Sequence, residues 1–146
     1  MLKLSPEIKD LVNGALSSGN PILFAVVDKD KKPVLSYRGS TQVYSDDQLG
    51  LWLRNTGGGT VEAIKQNPNV AFMYHSATTP LLQFKGRARI ATDAAERNKV
   101  FEAAPEREQK SDPERKGIAV IVDLDAVEGI LSFGPNGPNF VKLTRS

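Results

Sequence analysis

Short apolar runs follow one another along most of this chain with little but tight turns between them, and that succession limits the fold more than any single residue does. The runs cover residues 21–28, 33–44, 49–54, 69–76, 81–92, 118–125 and 127–133. They are rich in branched and aromatic residues and are punctuated by Asn, Asp, Gly and Pro, which is how strands read. The run 21–28 (PILFAVVD) has no polar alternation and predicts a strand buried on both faces. Helical patterns are few. Residues 6–17 carry an apolar stripe of Ile8, Leu11, Val12, Ala15 and Leu16, with Ser5 placed to cap and Pro6 suited to the first turn. Thr60 opens a short helix as its cap, and the helix closes at Asn67-Pro68, because a residue before proline resists helical geometry. Asp93 opens a third, with Glu96 at capping-box distance. Residues 104–117 are charged and broken by proline, an exposed loop with short helical turns, and the Gly-Pro tail after residue 133 is extended. Without regular β–α alternation a doubly wound parallel sheet is excluded. The expectation is a mainly β fold, an antiparallel β-barrel with peripheral helices, forming one domain over residues 1–146.

Composition narrows the function classes. A chain of 146 residues with 40% apolar and 25% charged residues can bury a core of its own. No apolar stretch is long enough to span a bilayer, and the first ten residues lack the apolar segment of a signal peptide, so no membrane partner and a cytoplasmic location are expected. Cysteine is absent, which excludes disulfides and thiolate metal sites. A net charge of +2, from 19 basic and 17 acidic residues, is too balanced for a nucleic-acid binder. Lys29, Lys31 and Lys32 are interleaved with Asp28 and Asp30 and read as a solvated turn, as do Glu106, Arg107, Glu108 and residues 114–117. His75 is the single histidine, no cluster has metal-ligand spacing, and no nucleophile-elbow motif occurs.

Three consecutive glycines, Gly57, Gly58 and Gly59, stand between the apolar run 49–54 and the helix at Thr60. A helix start presents unpaired N–H groups, and glycines before it let an anion approach the backbone. Along a strand Ser36, Arg38 and Ser40 share one face, and Trp52 and Arg54 share another. If these two runs pair, two guanidinium groups, two hydroxyls and an indole line one patch. That set suits a phosphate held at the start of a short helix, with a flat aromatic side chain nearby. Neither the dinucleotide fingerprint nor the P-loop motif is present.

The ordered set of features resembles the pyridoxamine 5'-phosphate oxidase-like, FMN-binding split-barrel proteins over roughly residues 20 to 130. The matching parts are residues 21–39 as the first hairpin and residues 51–74 as strand, phosphate turn, helix and Asn-Pro exit. Residues 81–90 match as the strand carrying Gly86, Arg87 and Ala88. The resemblance implies a homodimer with FMN in clefts at the interface and a small-molecule substrate or electron donor. It implies that Ser36, Tyr37, Arg38 and Gly39 lie along the cofactor, that Trp52, Leu53 and Arg54 line its ring and phosphate, and that Gly58, Gly59 and Thr60 meet the phosphate. Gln83 would reach the flavin, from the same chain or its partner, and Phe133 or Phe140 could cover a partner's flavin. The implied activity is flavin-dependent oxidoreduction, without a named catalytic residue and without the substrate features of a true pyridoxamine phosphate oxidase. The family also includes proteins that use the deazaflavin F420 and others that bind haem, for which His75 would matter, and a non-catalytic flavin-binding module stands beside the enzyme reading. One departure is visible. Family members often carry a lysine two residues after the Ser/Thr at the helix start, where this chain has Glu62. Phosphate charge must then come from Arg38 and Arg54, or the ligand differs.

Overall fold

The structure, a computed structural model, describes residues 1–54 and 58–145. Four helices are present among them: α1 (Pro6–Asn13), α2 (Thr60–Gln66), α3 (Ala94–Ala103) and α4 (Glu106–Lys110). The strands are β1 (Leu23–Val27), β2 (Pro33–Tyr37), β3 (Gln42–Ser45), β4 (Gln48–Leu53), β5 (Asn69–His75), β6 (Leu81–Ala91), β7 (Ile118–Gly134) and β8 (Gly137–Thr144). They join one sheet in the order β2-β1-β5-β6-β7-β4-β3, with β8 beside β7, and the pairings are antiparallel. This is the mainly antiparallel split-barrel architecture with peripheral helices that the sequence predicts.

The core explains why these runs become these strands. Phe24, Leu49, Leu51, Phe72, Leu82, Phe84, Val122 and Leu124 meet Ile8 and Val12 of α1 and Ile64 of α2 in one buried cluster. A second cluster on the other side of β4 and β7 joins Trp52, Ala119 and Ile121 to Val100 and Phe101 of α3. Residues 49–53 and 119–122 are therefore buried on both faces, which accounts for their unbroken apolar sequence. The run 21–28 behaves differently. In β1 only Phe24 and Val26 are buried, while Leu23, Ala25 and Val27 lie half-exposed on the outer face. The expectation of a strand covered on both sides is not met within one chain.

Other boundaries move for local reasons. The run 33–44 breaks at residues 38–41, where the Thr41 amide and hydroxyl both donate to the Arg38 carbonyl, at 3.2 and 2.8 Å. The two runs 118–125 and 127–133 are one strand. It passes a bulge at Asp125, flanked by the pairs Gly86↔Leu124 and Lys85↔Ala126. The tail is not merely extended but folds back as β8, paired with β7 from Ala126↔Thr144 to Gly134↔Gly137. Helix α1 stops at Asn13, four residues short of the sequence expectation, with Gly14 as C-cap donating back to Asp10. Asp93 caps α3 by accepting from the Glu96 amide at 3.0 Å, but the Glu96 carboxylate turns to Arg89 (2.7 Å) instead of closing a capping box.

Gly86 sits where β6 crosses the bulge. A Cβ there would run into the Asp123 carbonyl, a backbone group that cannot swing aside, and lie 2.8 Å from Val122 Cγ1 on a stiff β-branched side chain. Gly86→Ala should therefore lower the unfolding free energy by about 1–3 kcal/mol, the usual cost of overpacking. Urea denaturation of the variant against the wild type measures this, and an unchanged midpoint would contradict the crowding seen at this position.

Candidate functional site

The turn 38–41 brings the candidate residues together. Ser40 is 3% exposed, and its hydroxyl donates to the Trp52 carbonyl and accepts from the Trp52 amide, both at 2.9 Å. One side chain thus ties the turn to β4. The strand pairing that the expectation required is absent, since β2 pairs with β1 and β4 with β3 and β7; the turn 38–41 alone brings Arg38 and Ser40 beside Trp52 and Arg54. The Arg38 guanidinium is held at both ends, donating from Nε to Ser36 Oγ (3.0 Å) and from Nη2 to Thr60 Oγ1 (3.1 Å). Arg54 stands two residues beyond Trp52. Burial first, and the Arg54 charge second, pull the Arg38 pKa below the usual guanidinium value. Two cations therefore face one space, an arrangement that an anion would relieve.

That space is a cleft of about 480 Å³ lined by Tyr37, Arg38, Gly39, Ser40, Trp52, Arg54 and Glu108. Trp52 borders it but is 4% exposed. Its ring packs edge-on against Phe101 with centroids 5.0 Å apart, lies under the Arg97 guanidinium, and donates its indole N–H to Asp112 Oδ2 at 2.8 Å. It forms a fixed wall, not a free stacking platform. The Leu53 side chain lies in the main core, on the opposite side of β4 from Trp52. Gly58 and Gly59 are exposed, and Gly59, at φ 86°, is the N-cap of α2 in a conformation that favours glycine. Thr60 is consequently the first helical residue and not the cap. Its hydroxyl serves Arg38 instead, which fits its position one residue inside the helix. Gly57 lies outside the described residues.

Gln83 is elsewhere. Register places Tyr37, Leu23, Met73, Gln83, Glu128 and Lys142 in one row across the sheet. Gln83 is three strands from Tyr37, roughly 14 Å at ordinary strand spacing. It lines a separate apolar cleft of about 440 Å³ with Met73, Leu81 and Phe140. The outer sheet face here is apolar and open: Tyr37 is 69% exposed, Leu35 64% and Phe140 74%. His75 is exposed and shares a third recess with Asn20, Tyr37 and Met73, apart from the two arginines. Among the described residues no group of three or more His, Cys, Asp or Glu side chains is arranged to hold a metal.

The residue that sequence reasoning missed is Glu108. It reads as part of a solvated charged run, yet its side chain is 15% exposed and its Oε2 lies 3.5 Å from Arg54 Nε. Nothing in its local sequence marks it, because the contact depends on how α4 folds back over the turn.

Asp112 underpins the wall. Burial pushes its carboxyl pKa up, but hydrogen bonds from Trp52 and from the Lys116 and Gly117 amides, with the Arg54 charge, outweigh this and hold it below the ordinary 3.8. A depressed carboxylate stabilises the fold above its unfolded pKa and loses that contribution as pH falls through the folded value. The stability gap between wild type and Asp112→Asn should therefore be widest near neutral pH and shrink on acidification below about 3.8. Thermal melts across that range test this, and a gap independent of pH would contradict it.

Comparison with known proteins agrees with this fold. A family model described as pyridoxamine 5'-phosphate oxidase matches residues 4–127. Among solved structures, HupZ of Group A Streptococcus superposes with a TM-score of 0.65 at 24% identity, covering 93% of this chain and 98% of that one. A protein from Clostridium acetobutylicum, related to general stress protein 26 of B. subtilis (pyridoxinephosphate oxidase family), gives a TM-score of 0.66 at 11% identity, over 97% and 96% of the two chains. General stress protein 26 from Bacillus anthracis gives 0.63 at 18%, over 94% and 99%. A search of curated proteins returned no match. At such identities the structural likeness speaks for the fold alone. No helix among the described residues is long and apolar enough to cross a membrane. With the family model spanning residues 4–127 and the split-barrel sheet in place around the Arg38–Arg54 cleft, the chain belongs to the pyridoxamine 5'-phosphate oxidase family.

Proposed function

We propose that this chain is a single FMN-binding split-barrel domain over residues 1–146, acting as a homodimeric flavin-dependent oxidoreductase on a small-molecule substrate or electron donor. The observation that carries the reading is the convergence of Arg38, braced by Ser36 and Thr60, with Arg54 on one cleft. The donor set fits a phosphomonoester bearing a flat ring. Two guanidinium groups supply charge and fork geometry for the phosphate. Tyr37 and the apolar row beginning at Leu23 and Met73 offer a surface for the ring. FMN, when bound, supplies the hydride and single-electron chemistry. The chain's own residues bind and orient: Arg38 and Arg54 fix the anionic end, Gly59 leaves the backbone open beside it, and Trp52 closes the wall against α3.

The outer sheet face supports the dimer. β1 carries apolar residues on both sides, but one chain covers only its inner side, and Tyr37, Leu35, Leu81 and Phe140 extend the same open surface. A second copy laid on this face would complete the burial that the sequence of β1 prepares for. Gln83 would then approach the flavin from that copy, as its distance from Tyr37 within one chain suggests.

Purified protein is expected to be yellow, or to become so with added FMN, with an absorbance maximum near ~450 nm from the flavin. Arg54→Ala and Arg38→Ala should each weaken FMN binding about ten- to hundredfold, the range for losing charge-assisted hydrogen bonds. Fluorescence titration checks this. Full FMN affinity in both variants would place the phosphate elsewhere and remove the basis of the reading.

A further inference from the structure

Glu108 occupies a position in the cleft that FMN binding does not require. Its Oε1 lies 2.6 Å from where a Cβ on Gly39 would stand, and its Oε2 is 3.5 Å from Arg54 Nε. The placement is built. Gln109, the next residue, donates from Nε2 to the Glu102 and Ala104 carbonyls (3.1 and 2.8 Å), pinning α4 to the end of α3. The other acids and bases of α4 stay outside: Glu106 pairs with Lys110 at 2.9 Å in solvent, and Arg107 is exposed. Gly39 has an ordinary backbone conformation, so its value lies in the space it leaves for the Glu108 carboxylate and for Leu16.

We infer that Glu108 sets the anion affinity of this site, as an internal carboxylate that competes with an incoming phosphate for Arg54. The inference rests on the phosphate reading above. A phosphomonoester brings a charge of about −1.5 to −2 near neutral pH, and it must displace the Glu108 carboxylate or share Arg54 with it. Either course costs binding. Inorganic phosphate has nothing to offset that cost. FMN offsets it with ring contacts along the Tyr37 row. Glu108 thus weakens phosphate-bearing ligands by a similar factor, which leaves bare phosphate with little affinity while FMN still binds through its ring contacts.

The test compares wild type with Glu108→Gln, titrating inorganic phosphate, FMN and riboflavin in low-salt buffer. Removing one negative charge a few ångströms from the anion should tighten phosphate and FMN about five- to tenfold, allowing for solvent screening. Riboflavin, which has no phosphate, should bind both forms alike. Glu108→Asp keeps the charge but draws it back by one methylene, so a smaller gain of the same sign is expected. It serves as the second variant should Glu108→Gln melt early. FMN affinity unchanged or weakened in both variants would show Glu108 positioning Arg54 and not competing with the ligand, and would overturn the inference alone. An equal gain for riboflavin would also overturn it, since the effect would then be one of space and not of charge. If neither form binds phosphate or FMN, the inference falls together with the reading beneath it.

Discussion

The Ser40 hydroxyl is the contact on which the site depends. By donating to the Trp52 carbonyl and accepting from its amide, it locks the turn 38–41 against β4. Arg38 then reaches Thr60 at the start of α2 while Arg54 leaves the end of β4 on the same side. A buried hydroxyl so fully used is worth more than its share of the sheet, because losing it would leave two backbone groups unsatisfied. Burial of Arg38, and after it the neighbouring Arg54 charge, carries a cost in turn and lowers the Arg38 pKa. The fold accepts like charges in one cleft and partly relieves them with the Glu108 carboxylate.

What makes the turn a reliable anchor is the strand behind it. β4 and β7 are covered on one side by the main core and on the other by α3 with Trp52, Phe101 and Ile121. The Asp112 loop holds the indole from its far edge, and Arg97 covers its face while donating to the Gly117 carbonyl at 3.0 Å. The site's wall is thereby continuous with a core. Its opposite side, the outer face of β2, β1 and β5, is apolar and open in one chain, and under the proposed function a second copy covers it.

Much of this was legible in the sequence. Seven apolar runs with turn residues between them indicated an antiparallel sheet, and the Asn67-Pro68 stop placed the end of α2 correctly, because these signals are local. Arg38, Arg54 and Thr60 were legible as partners because strand alternation and the glycine turn put them on compatible faces. What escaped depends on distant contacts. The break at residues 38–41 follows from Thr41 bonding to Arg38 and Ser40 bonding to β4, which no local propensity announces. The resemblance has Trp52 line the cofactor, and in the fold α3 and Asp112 also hold its ring. Thr60 reads as a cap, but a left-handed Gly59 takes that role and frees the hydroxyl. Glu108 looks like any solvated glutamate until α4 folds back over Gly39.

The central claim is that a phosphate docks between Arg38 and Arg54, and a crystal structure of the protein grown with FMN tests it most directly. The account predicts phosphate oxygens within about 3 Å of both guanidinium groups, as charge-assisted bonds require, with the flavin ring extending from there toward Tyr37. A flavin phosphate bound away from both arginines would contradict it.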